Sequence, residues 1–475
     1  MSHKTLTPPF AFGITYSQLF ESYWIVLENN SQLDSNMKTG ICLLLLWEMC
    51  LGMNTSSVKT RMPEKNKEHF LSKKQTFSIS EEHFHHKNIP KPFEVQVPLE
   101  STVYNVTEKS TNFGFNLYRK IAMQHDNNVL FSPLSLSFLM AAFMLGTKGE
   151  TNNQIVQGLN LHLLKDEENP YHLPALFKQL KENITANEEF ILQQGSFAFI
   201  QKDFCLNESF LNLSKEYFDM EFRSVDFNNS TQAKEVINQN VNKMTKGKIQ
   251  ELFEDFDTRA KLVLVDYVFF KGKWLHPFNA RLTEPEFFHI DKYRSVQVPM
   301  MFKSDKVAST FDENLRCTVV KLPYKGRVHL LIAVPEKEGD YVSLEDHLTA
   351  ELVELWLRNM KTRKIDFFLP KFKLDQNYQM HKLLQTLGIK NLFTNQADLS
   401  QLTDQMYARV SQVIQRAVIE VDERGTEAAA ASGSEMTAYS VPPTIRVNRP
   451  FLFMLFEETF KTLIFMGRVV NPTEL

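Results

Sequence analysis

The chain has 475 residues, a length that argues for about three domains of roughly 150 residues each. Its 43% hydrophobic and 23% charged content is the balance of a globular protein, which excludes global disorder, collagen and a coiled coil. Fifty-three Lys and Arg against 56 Asp and Glu leave a net charge of -3, so bulk basic binding of nucleic acid is excluded, while 39 Phe supply ample apolar bulk for a core.

Residues 1–36 precede Met37-Lys38-Thr39-Gly40, which leads into Ile41-Cys42-Leu43-Leu44-Leu45-Leu46-Trp47 and then Cys50-Leu51-Gly52. A basic start, a short apolar run and small residues form the pattern of a secretory signal peptide. Residues 37–52 are therefore read as the signal, Met37 as the working start and residues 1–36 as an upstream extension. The run is too short to span a membrane, which takes about 20 apolar residues. Sequons follow at Asn54, Asn105, Asn183, Asn207, Asn212, Asn228 and Asn229, as expected of a secreted glycoprotein. Cys205 and Cys317 are the cysteines left after the signal, and both are expected to be buried and unpaired.

Residues 53–110 mix Lys, Glu, Ser, Asn and His without a sustained period and read as a flexible tail. His83, His85 and His86 within it read as solvated, and no metal site is expected. The folded part is expected from Thr111, where Phe113, Leu117 and Ile121 make one helical stripe. Ser132 is a good N-cap and Pro133 a good first residue for a buried helix over Leu134–Leu145, stopped by Gly146. Leu262–Phe270 is nearly all apolar, as a strand covered on both faces requires. Val328–Val334 and Ile365–Leu369 read as further strands. Phe451–Phe456 and Thr462–Met466 read as a hairpin around Glu457-Glu458-Thr459. Helices lead and strands follow, which is an α+β order rather than alternating βαβ units.

No G-x-G-x-x-G, Walker A, H-E-x-x-H or G-x-S-x-G pattern occurs, and no CxxC, so neither an enzyme nor a structural zinc site has support in the residues. The unusual segment is 423–443. From Gly425 to Ala438 its side chains are small except Glu427, Glu435 and Met436, too little bulk for a core and too long for an ordinary loop. Laid out as a strand, Thr426, Ala428, Ala430, Ser432 and Ser434 form a small, uncharged face able to slide over a packed core. Glu427, Ala429, Ala431, Gly433 and Glu435 form the other face, which keeps its charges toward solvent.

Several separated stretches carry a resemblance. They are Asn128-Val-Leu-Phe-Ser-Pro-Leu-Ser, Leu145-Gly-Thr-Lys-Gly-Glu-Thr151, Phe270-Lys-Gly-Lys-Trp274, Val298-Pro-Met-Met301 and Val418-Ile-Glu-Val-Asp-Glu-Arg-Gly-Thr426. Asn448-Arg-Pro-Phe-Leu-Phe453 and Phe465-Met-Gly-Arg-Val-Val-Asn-Pro472 close the series. In this order they resemble the serpins over residues 111–475, with Asp266-Tyr267 departing from the Asn-Ala of many members. The resemblance implies a one-domain α+β serpin fold, with helices, three β-sheets and an exposed reactive-centre loop at about 423–443 that inserts into the central sheet. It also implies inhibition by suicide trapping of serine proteases rather than enzymatic activity. The hinge would be Glu423, Gly425, Thr426, Ala428, Ala429, Ala430 and Ala431, and the reactive bond Tyr439–Ser440, placed by counting from the hinge. The rival is a non-inhibitory serpin, a carrier or chaperone.

Val265-Asp-Tyr267, His289-Ile-Asp-Lys-Tyr293, Trp356-Leu-Arg-Asn-Met-Lys-Thr-Arg363 and Ala438-Tyr-Ser440 narrow the resemblance to serpins that use protein Z as a protein cofactor. That implies a plasma protein acting in coagulation on factor Xa, with calcium and phospholipid, and on factor XIa. Contact with membrane would be indirect, through protein Z. The residues implied to bind protein Z are Met123, Asp126, Tyr293 and Asp346. Lys178 and Lys181, on the amphipathic stretch Leu176-Phe-Lys-Gln-Leu-Lys, match a helix that serpins use for glycosaminoglycans, so heparin is an expected second ligand.

Overall fold

The computed structural model describes residues 99–166, 168–186, 189–245, 247, 259–337, 339–424 and 441–475. The chain divides into two units, Met1–Lys91 and Pro92–Leu475. The first lies outside the described residues, and with it the extension, the signal and most of the expected tail.

In chain order the elements are α1 (Leu99–Ala122), β1 (Val129–Phe131), α2 (Pro133–Met144), α3 (Gly149–Gly158), α4 (His172–Thr185), β2 (Ile191–Gln201), α5 (Glu208–Phe218), β3 (Glu221–Val225) and α6 (Ser230–Met244). Strands β4 (Leu262–Lys271), β5 (Glu284–His289), β6 (Ser295–Asp312), β7 (Cys317–Pro323) and β8 (Val328–Pro335) follow. Then come α7 (Tyr341–Asp346), α8 (Ala350–Asn359), β9 (Lys361–Pro370), β10 (Phe372–Gln379), α9 (Met380–Thr386) and β11 (Gln412–Val421). β12 (Thr444–Arg446), β13 (Phe451–Glu457) and β14 (Thr462–Val469) complete the chain.

The expected tail boundary at residue 110 is corrected by α1, which begins at Leu99 and buries Val103, Val106, Thr107 and Ser110. Its inward stripe passes through Thr107, Ser110 and Thr111, so polar residues on the buried face hide the helical period. The Thr107 hydroxyl is satisfied there by donating to the Phe460 carbonyl at 2.7 Å. By contrast α2 forms as its residues dictate. The Ser132 side chain caps it by accepting from the Ser135 backbone N–H at 3.2 Å, and its residues are buried from Pro133 through Phe143.

Five strands form one sheet in the order β10-β11-β4-β2-β3. Along β4, Leu262, Leu264, Val268 and Phe270 join the main core, while Val263, Val265, Tyr267 and Phe269 join a second core. That second core is closed by Ala233, Ile237 and Val241 of α6. Packing on both faces is why β4 carries no polar alternation. The other strands run in the order β1-β14-β13-β8-β7-β6-β9-β12, with β5 also paired to β6. The long strand β6 has three partners within this one sheet, β5 over 295–300, β9 over 300–309 and β7 over 308–312. The described strands thus form two sheets, of nine and five strands, and not the expected three, because β6 is long enough to join the strands at its two ends into one sheet. A Cβ at Gly467 would collide with the Val129 carbonyl across the β1–β14 pair, which accounts for the glycine in that motif. Cys317 is buried, but Cys205 is exposed, a correction to the expectation that both are inside. Residue Cys205 lies on a loop beside Phe204, whose burial suffices to anchor that loop.

Candidate functional site

The geometry centres on β4 and β11. They lie side by side and parallel, with Gln412 opposite Val263 and Ile419 opposite Phe270. Each is antiparallel to its outer neighbour, β2 or β10. A segment leaving the C-terminal end of β11 and folding back would run antiparallel to both strands. It would replace one parallel ladder with two antiparallel ones, the more stable pairing per residue.

A buried polar cluster sits under this seam. Asp266 of β4 stands directly opposite Gln415 of β11 and Ser196 of β2. Its carboxylate accepts from Gln415 Nε2 at 2.7 Å, from Ser135 Oγ at 2.7 Å and from Ser196 Oγ at 3.0 Å. Gln415 also ties β11 to the start of α2, accepting from the Ser132 N–H at 2.9 Å and donating to the Ser132 carbonyl at 3.0 Å. Full burial pushes the Asp266 carboxyl up to about 6, against the lowering effect of its hydrogen bonds to Gln415, Ser135 and Ser196. In the sequence Asp266 stands out as a departure from a family pattern and within the Val265-Asp-Tyr267 stretch; its pairing with Gln415 has no local signal.

At the top of β11 the chain is fastened before it enters the small-residue segment. Trp274 Nε1 donates to the Asp422 carbonyl at 2.7 Å, and the indole stacks on Tyr324 with centroids 3.9 Å apart. Lys271 pairs with both Glu420 and Asp422. Glu423, the expected start of the hinge, pairs with Lys371 at 2.8 Å and accepts from Thr283 Oγ1 at 2.9 Å. Partial burial works against its ionisation, but these two contacts hold its carboxyl below the usual range. Gly425, Thr426, Ala428, Ala429, Ala430, Ala431, Tyr439 and Ser440 lie outside the described residues. The chain resumes at Val441 and enters β12, which pairs parallel with β9 in the other sheet. The segment is thus attached at both ends, to β11 on one side and to β12 on the other.

Of the four expected partner residues, one lines a second feature, a groove of about 820 Å³. Asp126 lines it, together with Asp291 and Lys292 of the β5–β6 turn and Tyr341 of α7. Met123 and Tyr293 beside it are 79% and 88% exposed, unusual for large apolar side chains. Asp346 is exposed at the end of α7. The turn that presents Tyr293 is rigid: Asp291 Oδ1 accepts from the backbone N–H of Tyr293 at 2.8 Å and of Arg294 at 2.9 Å.

Lys178 and Lys181 both lie on α4 but are differently engaged. Lys178 sits 5.7 Å from the Tyr217 ring centroid. Lys181 donates to the Phe218 carbonyl at 2.8 Å and to Asp219 at 2.9 Å, closing the C-terminal end of α5. Among the sequons, Asn183, Asn212, Asn228 and Asn229 are exposed, and Asn229 also caps α6 by accepting from the Gln232 N–H at 3.2 Å. Asn105 and Asn207 are half-buried, and Asn54 lies outside the described residues. Among the described residues no helix is long and apolar enough to cross a membrane, and no cluster of ligating side chains could hold a metal ion.

The serpin family (serine protease inhibitor) matches residues 108–472. Human protein Z-dependent protease inhibitor is 54% identical over 371 residues, covering 78% of this chain and 83% of that protein. The crystal structure of the mouse protein Z-dependent protease inhibitor superposes with a TM-score of 0.74 at 53% identity, over 79% of this chain and 99% of that one. Human thyroxine-binding globulin in complex with its hormone superposes with a TM-score of 0.73 at 33% identity, over 78% of this chain and all (100%) of that one.

Proposed function

The chain belongs to the serpin family, and we propose that it is a secreted suicide inhibitor of factor Xa and factor XIa that uses protein Z as its cofactor in coagulation. The observation that carries the trapping mechanism is the parallel seam between β4 and β11, with a small-residue segment leaving the end of β11. The protease serine Oγ attacks the carbonyl carbon of Tyr439. The bond to the Ser440 nitrogen breaks, the leaving amine takes a proton, and an ester joins Tyr439 to the protease. The freed segment then enters the seam as a strand and carries the esterified protease with it, and the strain released in such insertion drives the step. Gly425 supplies backbone freedom at the turn. Thr426 and Ala428–Ala431 offer no bulk or charge to resist entry.

Tyr439 is a poor fit for a trypsin-like pocket that prefers Arg or Lys. Docking on protein Z at a phospholipid surface with calcium offsets this by raising effective concentration. Met123, Asp126, Tyr293 and Asp346 are the proposed contacts, a group of exposed aromatic, apolar and acidic side chains suited to an interface hot spot. Heparin is proposed as a second ligand on α4, with Lys178 carrying more of the attraction because Lys181 is already paired. The four exposed sequons are the proposed glycan sites.

The test is formation of an SDS-stable complex with factor Xa, with and without protein Z, calcium and phospholipid, in wild type and Asp346→Ala. Loss of an interfacial carboxylate should cost on the order of 2–5 kcal/mol, mostly as faster dissociation of protein Z. Acceleration by protein Z should vanish in the variant, and full acceleration would remove Asp346 from the site. A carrier role is the second reading. It would use a cavity of about 260 Å³ between α1, α8 and the strands β7, β8 and β13. Its wall includes the buried His329, neither of whose ring nitrogens has a hydrogen-bond partner. Absence of any covalent complex across a protease panel would favour that reading.

A further inference from the structure

Beneath the groove, one guanidinium joins the elements that present two of the proposed contacts. Arg468 of β14 is 3% exposed. Its Nη1 donates to Glu345 Oε1 at 2.9 Å and Oε2 at 3.1 Å. Its Nε donates to the Asn127 carbonyl at 3.0 Å, and its Nη2 donates to the His125 carbonyl. The guanidinium also lies 5.7 Å from the Tyr341 ring centroid. Glu345, itself buried, accepts a further bond from Tyr118 Oη of α1 at 2.6 Å. Asp126 therefore lies between the two carbonyls that Arg468 holds, and Asp346 directly follows the carboxylate that it holds. The one side chain thus ties the α1–β1 connection to α7.

We infer that Arg468, with Glu345, is the positioning pair of the partner surface, setting the separation and orientation of Asp126 and Asp346 without touching the partner. The pair rests on the docking reading proposed above. An ion pair of this burial contributes little net stability compared with an apolar replacement, but it binds its elements in one arrangement. A planar guanidinium meets these acceptors from three separate nitrogens held in a fixed fork, whereas an ammonium offers three rotatable donors on a single nitrogen. Arg468→Lys keeps the charge and loses that fork, while Glu345→Gln keeps the shape and loses the charge.

The experiment has two arms on the full-length secreted protein, each run on both variants. In the first, amide hydrogen exchange is followed without protein Z. Faster exchange is expected in residues 123–127 and 341–347, with the β4 and β11 amides as slow as in wild type. In the second, the affinity for purified protein Z is measured together with the rate of factor Xa inhibition in its absence. Affinity should fall by about 3- to 30-fold, the range for residues that act through others, while the unassisted rate is unchanged. Wild-type exchange in both segments overturns the positioning role whatever protein Z does. Faster exchange with wild-type affinity overturns the docking reading instead, since the loosened surface is then not where protein Z binds. Should Arg468→Lys fail to fold, Glu345→Gln alone decides, because it removes one charge and no atoms of the fork.

Discussion

Asp266→Asn tests the seam between β4 and β11 most directly. In the native protein the Asp266 carboxyl is raised from 3.8 to about 6, chiefly by burial. Between these values the native state holds a proton that the unfolded chain has released. Stability from this group is thus fully present below about pH 4 and is lost as pH rises through about 6. The difference of about 2 units, at 1.36 kcal/mol each, means that ionised Asp266 costs the native state roughly 3 kcal/mol at pH 7.4. Asparagine is isosteric, carries no charge, keeps an acceptor for Gln415 and offers donors to the Ser135 and Ser196 hydroxyls. The variant should therefore be more stable at pH 7.4 by about 2–3 kcal/mol and should lose the decline in stability between about pH 4 and about pH 6. The proposed trapping mechanism has the native form held by a barrier, so the assay is calorimetry at one fixed scan rate across that pH range. A second consequence is functional: a seam held more firmly admits the cleaved segment more slowly, so more protease escapes and more inhibitor is consumed per protease trapped. A variant that is less stable at pH 7.4, or that keeps the wild-type pH slope, would refute the reasoning.

Thr426→Arg should leave cleavage at Tyr439 intact and abolish the SDS-stable complex, because a charge would have to enter the sheet; a normal yield of complex would count against insertion. Tyr439→Arg should broaden inhibition to other trypsin-like proteases and reduce the dependence on protein Z, seen as altered second-order rate constants across a protease panel. On heparin-Sepharose, Lys178→Ala should elute at lower salt, and Lys181→Ala should shift less, since Asp219 already pairs with Lys181; an unchanged midpoint for both removes α4 as the site. Lys371→Ala should release Glu423, and as this half-exposed pair is worth at most about 1 kcal/mol, the expected result is faster proteolysis within 423–443 with little change in calorimetric stability.

What the amino-acid sequence determined by itself is local. Ser132 and Pro133 start α2, and the unbroken apolar run of β4 announces a strand buried on two faces. Phe451–Glu457 and Thr462–Val469 pair as the hairpin their spacing implies. The small side chains after Gly425 are a property of composition, legible without coordinates. Each of these follows from periodicity, capping or side-chain size within a few residues. The tertiary structure alone decided which distant residues meet. Asp266 and Gln415 become register partners although 149 positions separate them, and Glu345 and Arg468 become a buried pair across 123. The extent of α1 belongs to the same class, since the buried Thr107 finds its hydrogen-bond acceptor in the carbonyl of the distant Phe460. A buried charge or hydroxyl takes its meaning from the partner that satisfies it, and that partner is set by the packing of strands far apart in the chain. The seam that would admit the segment is therefore a property of the folded sheet, while the segment's fitness to enter it is written in its own residues.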